Sequence, residues 1–129
     1  MAKFKLSQIA AQFLILLGLF FFFFVIIFSV LSDRYYEMNR EKISVLALDL
    51  VTYVQNEIIL AEKVSGGYHR KFILPDNIGG FDYSIFIHKD EVIINVLEQD
   101  YFKKIPNITG YIRKGTNVIK KNESGIYLN

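Results

Sequence analysis

Hydrophobic and polar positions divide the chain into three regimes. From Ile9 to Leu31 apolar residues run on without a charge or a proline, and Phe20, Phe21, Phe22, Phe23 and Phe24 stand in a row. From Ile43 to Ala61 the apolar positions thin to a stripe, Ile43, Leu46, Ala47, Leu50, Val54, Ile58 and Ala61. That is the period of an amphipathic helix. After Gly66-Gly67 the period drops to two. Tyr83 to His88 and Val92 to Leu97 alternate as strands around a tight polar loop, a hairpin pattern. His69 to Leu74 is a strand ended by Pro75. Shorter strands are expected at Gly110 to Arg113, Asn117 to Lys121 and Ile126 to Leu128, with turns at Lys114-Gly115-Thr116 and Glu123-Ser124-Gly125.

These patterns predict an α+β fold. One long helix, from about Ser7 to Val64, has a transmembrane first half and an amphipathic second half, and packs on a small antiparallel β-sheet. Ser32-Asp33 can cap a second helix, so a kink is allowed there. The organisation expected is a basic leader over 1–7, a transmembrane helix over 8–31, an amphipathic helix over 32–65 and a β head over 66–129. Leu50 sits in the helix–sheet seam on this reading. The acids Glu41, Asp49, Glu57 and Glu62 fall off the stripe.

Ile9 to Leu31 is 23 residues long. At about 1.5 Å per residue it crosses a hydrocarbon core of roughly 30 Å. A cleavable secretory signal has a shorter apolar core, about 7 to 15 residues. Val30-Leu31-Ser32 is a loose fit to a small-residue cleavage site. Positive residues stand on both flanks, Lys3 and Lys5 before the run and Arg34, Arg40 and Lys42 after it. The short, acid-free leader favours a cytoplasmic N-terminus and an extracytoplasmic head.

A polar side chain at Gln12, inside the apolar run, is costly unless it stays at the interface or finds a partner. The order of residues there is informative: Lys3 and Lys5, the small residue Ser7, then Gln8-Ile9-Ala10-Ala11-Gln12-Phe13-Leu14. It resembles the class III signal of archaeal type IV pilin-like proteins, which read as a basic leader, a small residue and Q-x-x-x-E-F-L. The stretch Val54 to Pro75 is also similar to small archaeal single-span membrane proteins with such N-termini. Leu6 stands where that family carries Lys or Arg, and Gln12 where it carries Glu. The resemblance implies a cut between Ser7 and Gln8 by a prepilin-type peptidase. It also implies that the helix bearing Gln12, Phe13 and Phe20 to Phe24 is retained as a polymer core.

The chain carries a net charge of +2, unevenly spread. Residues 32–100 hold seven Lys+Arg against twelve Asp+Glu, and residues 101–129 hold six against one. This polarity suggests contacts between copies, with Glu57 and Glu62 on one surface and Lys120 and Lys121 on the other. Lysines on short edge strands also serve to block unwanted pairing. No basic domain of the kind that binds nucleic acid is evident.

There is no cysteine. His69 and His88 lack spaced partners and read as solvated strand residues. The Asp76 to Asp82 stretch has calcium-loop oxygens without EF-hand spacing and reads as a glycine turn. No nucleophile elbow, phosphate loop or dinucleotide fingerprint occurs. The expectation is therefore a non-enzyme with no cofactor and no small-molecule substrate. Asn107-Ile108-Thr109 and Asn122-Glu123-Ser124 are N-glycosylation sequons, which suit an exported head. The function expected is a pilin-like surface subunit, or a minor component of such a filament, partnered by the bilayer and by other pilin-like subunits. The alternative is a monomeric single-pass anchor whose head binds a partner or senses.

Overall fold

The computed structural model describes residues 2–129, in two compact units, 1–40 and 41–129. Helix α1 runs Ala2–Lys63 and contributes to both. It begins five residues before the predicted start, so residues 2–7 of the expected leader are helical. Ser32 and Asp33 are helical residues, not a cap. The first turn holds Lys3 and Lys5 and no acid, the wrong sign for the positive helix N-terminus. Lys63 in the last turn has the right sign, and four residues past it Gly67, at φ +91°, turns the chain toward the first strand. Within 2–40 every side chain from Lys3 to Leu31 is exposed.

In the second unit, Ile43, Ala47, Val51, Val54, Ile58 and Ala61 form the buried stripe of the helix. Two expectations are corrected here. Val51 replaces Leu50 at the centre of the seam: Val51 is fully buried, while Leu50 is half-buried and Leu46 exposed. Glu57 does not face solvent but is buried at the stripe's margin. Both follow from the exact rotation of the helix, which a count of apolar positions blurs by one residue.

The sheet layer differs from the single antiparallel sheet predicted. β1 (His69–Leu74), β2 (Tyr83–His88), β3 (Glu91–Val96), β4 (Gln99–Lys104), β5 (Ile108–Gly110), β6 (Gly115–Asn122) and β7 (Gly125–Leu128) form two sheets. One is four-stranded in the order β1-β6-β7-β5, and β5 runs parallel to β7. The other is an antiparallel meander, β2-β3-β4. Both send buried residues to the stripe, Phe72, Ile119 and Leu128 from the first sheet and Val92, Ile94 and Val96 from the second. Each such side chain contributes about 1.5–3 kcal/mol by leaving water.

Two local devices explain the differences. β4 is reached through a two-residue turn, Leu97-Glu98, with both φ values positive (52° and 61°). Such turns normally carry Asn-Gly, so nothing in the residues announced a hairpin. β4 is then held to the helix by polar contacts: the Ser44 hydroxyl meets the Tyr101 hydroxyl at 2.6 Å, and Gln55 Nε2 donates to the Lys104 carbonyl at 2.7 Å. Replacing Leu97-Glu98 by Asn-Gly is expected to stabilise the head by about 1 kcal/mol by relieving two strained conformers. A melting temperature no higher than that of the parent would contradict this.

The second device is Asn117, fully buried where the start of a strand was expected. Its Nδ2 donates to the carbonyls of Arg113 (2.7 Å) and Gly115 (3.2 Å), and its Oδ1 accepts from Arg113 N (3.0 Å) and Asn129 Nδ2 (2.8 Å). The Arg113 backbone therefore bonds to a side chain instead of a neighbouring strand. That is why Gly110 to Arg113 does not form the predicted strand and pairing stops at Gly110, while β6 begins early, at Gly115. Asn117→Val is expected to cost about 2–4 kcal/mol, since it orphans several partly buried backbone groups, as read from chemical denaturation.

Candidate functional site

The first unit offers one chemically distinctive surface, the apolar helix. It is the one helix among the described residues long and apolar enough to cross a membrane, and it lies near the N-terminus. Phe20, Phe24 and Phe28, four residues apart, stack along one side with ring centroids 6.5 and 6.4 Å apart. Phe21, Phe22 and Phe23 point elsewhere around the helix, and all five rings of the run are exposed, as is Phe13. Lys5, Gln8, Ile9 and Gln12 share one face at the head of the segment, giving a polar patch at its start. Ser7 is exposed and its hydroxyl donates back to the Phe4 carbonyl at 3.0 Å. The Ser7–Gln8 bond thus lies inside the helix, one to two turns from an end weakened by two lysines.

In the second unit the charge-contact residues separate. Glu57 Oε2 lies 3.0 Å from Arg70 Nε without an aligned hydrogen bond, so the pairing is ionic and internal to the head. That removes Glu57 from any intermolecular set. Lys121 is half-buried and donates through Nζ to the Glu62 main-chain carbonyl, capping the end of the helix. Glu62 and Lys120 remain exposed. Asn107 is exposed between β4 and β5, and Asn122 at the β6–β7 turn. Asn122 Oδ1 accepts from Ser124 N and Gly125 N at 2.9 and 3.1 Å, leaving free the nitrogen that a glycan would occupy.

His69 and His88 are exposed strand residues. The Asp76 to Asp82 stretch is a glycine turn: Ile78 and Phe81 exchange both backbone hydrogen bonds at 2.9 and 3.0 Å around Gly79 and Gly80, both with positive φ. Among the described residues no three His, Cys, Asp or Glu side chains are grouped to hold a metal ion.

One cluster was not foreseen. Lys114 pairs with Asp82 and sits 4.7 Å over the Tyr83 ring, whose hydroxyl donates to the Pro75 carbonyl at 2.6 Å. It ties the start of β6 to the start of β2 and so joins the two sheets. The Lys114 ammonium holds the Asp82 carboxyl below the usual range. Burial, with Asp76 and Asp82 adding to it, pushes the Tyr83 phenol up to about 12. A phenol ionises near 10 in the unfolded chain. Its folded value is higher, so the stabilisation it confers is complete below about pH 10 and disappears as pH climbs through about 12. With a side chain almost wholly buried, that amounts to about 2–3 kcal/mol. Absorbance titration is expected to show one of the eight tyrosines ionising last, and Tyr83→Phe is expected to remove that step.

No family model, curated protein or solved structure matches this chain. The reading of its function therefore rests on its own residues.

Proposed function

We propose that this chain is a pilin-like, single-span surface subunit of an archaeal type IV pilus-type filament, or a minor component of one. It is inserted with the N-terminus in the cytoplasm and the head outside. The observation that carries the reading is the helix of the first unit: from Ile9 to Leu31 it is uncharged and exposes apolar side chains all round. Its first turns carry Ser7, Gln8 and Gln12 in the order of a class III signal. An apolar surface on every side suits lipid before assembly and neighbouring helices after it. The mispaired lysines make the leader the easiest part of the helix to unwind, which a peptidase acting at Ser7–Gln8 requires.

Mass spectrometry of the native membrane fraction tests this directly. The expected mature chain begins at Gln8. A chain that retains Met1 or begins at Ala2 overturns processing and favours the second reading, a monomeric anchor, which the Leu6 and Gln12 departures favour. A chain beginning at Asp33 overturns both.

A further inference from the structure

The outward face of the four-stranded sheet carries cations and tyrosines beside Ile73, Thr116 and Val118. Register places His69 opposite Lys120 and Lys120 opposite Tyr127, a row across β1, β6 and β7 with about 4.8 Å between strands. Lys71 begins the next row, about 7 Å along β1. Tyr111 and Arg113, beyond β5, extend the same surface. Tyr127 and Tyr111 are 37% and 58% exposed, and Lys71 and Lys120 take part in no ion pair or hydrogen bond among the described residues. Outward positions along β1, β6 and β7 carry no carboxylate.

Two shallow cavities, of about 360 and 540 Å³, share His69, Lys120 and Tyr127, so they adjoin as one trough across the sheet. We propose that this trough binds an acidic polysaccharide, a sugar polymer bearing carboxylates. Lys71 and Lys120 form no ion pair, so their charge is open to an anion. A trough made of two adjoining cavities suits a chain more than a single small ion. Tyrosine presents a flat apolar face to the C–H side of a sugar ring and a hydroxyl to its oxygens. The head unit as a whole holds eleven Lys+Arg and eleven Asp+Glu. A neutral domain lacks the broad positive field that nucleic acids demand, whereas a sparsely charged polymer needs only the local cations. The site lies wholly within the second unit. Only its biological setting rests on the head being extracytoplasmic.

The test uses the full chain in non-ionic detergent, titrated calorimetrically with polygalacturonate oligomers, neutral dextran and poly(dT). The expected result is saturable binding of polygalacturonate, none of dextran, and weaker binding of poly(dT). Lys71→Glu with Lys120→Glu should weaken polygalacturonate binding by about tenfold or more and flatten its salt dependence. Tyr127→Ser should weaken it several-fold with the salt slope unchanged. Unaltered circular dichroism establishes that each variant is folded. Absence of polygalacturonate binding, or equal binding by the charge-reversed variant, overturns the proposal. Equal binding of dextran overturns the role of charge, and tighter binding of poly(dT) replaces the polysaccharide with nucleic acid. Failure here leaves the processing test untouched, and failure of processing leaves this binding in place.

Discussion

Val51→Asp is expected to unfold the head. Val51 is fully buried at the centre of the helix stripe, facing residues of both sheets in one continuous core. A carboxylate there has neither water nor a cation, and either ionised or protonated it forfeits the valine's packing. The penalty expected is about 4–5 kcal/mol, comparable with the whole stability of a small domain. Leu50→Asp, one residue along, should cost much less, because Leu50 is half-buried and an aspartate there reaches solvent. Near-UV circular dichroism of the tyrosines in the detergent-solubilised chain should show lost tertiary signal for Val51→Asp and a retained, cooperative melt for Leu50→Asp. Equal melts would place the seam elsewhere.

Gly110→Ala is expected to release the C-terminal strand pairing. Gly110 has φ +122° and ends β5 against β7, where it lies opposite Leu128. A Cβ there would stand 1.9 Å from the Leu128 carbonyl oxygen and 2.9 Å from its carbon. Both are backbone atoms that cannot rotate away, and the φ is strained for any side chain. The cost expected is about 3–5 kcal/mol. For a domain this size that lowers the melting temperature by at least about 12 °C. Gly79→Ala is the informative contrast. Its Cβ would meet Ile43 Cδ1 at 2.3 Å, the movable end of a flexible side chain, so repacking softens the clash. If both variants melt alike, the β5–β7 contact is not what Gly110 serves.

Much of this architecture was legible in the residues, because it depends on local period. The apolar run without charge, the 3.6-residue stripe and the two-residue alternation each reflect one element meeting one environment. β1 and β2 occur where the alternation placed them, and β3 is displaced by one residue. The helix ends at Lys63, just ahead of the Gly66-Gly67 turn that the residues marked. The α+β class followed from these alone.

What period does not encode had to come from the folded chain. Glu57 lies off an idealised stripe, yet its burial depends on Arg70 from β1 arriving beside it. β4 follows a turn whose residues give no turn signal, and its place is secured by Ser44 and Gln55 on the helix. The division into two sheets and the parallel β5–β7 pair are matters of long-range pairing, and the loss of the strand expected at Gly110 to Arg113 depends on Asn117 taking the backbone bonds of Arg113. The cationic face exists because β1 and β6, far apart in the chain, pair with His69 opposite Lys120. Hydrophobic period is a property of neighbours along the chain, so the sequence by itself determined the long helix and the strands β1, β2 and β3, and roughly which face of each seeks cover. Register, sheet order and the grouping of polar side chains are properties of neighbours in space, and only the tertiary structure decided them.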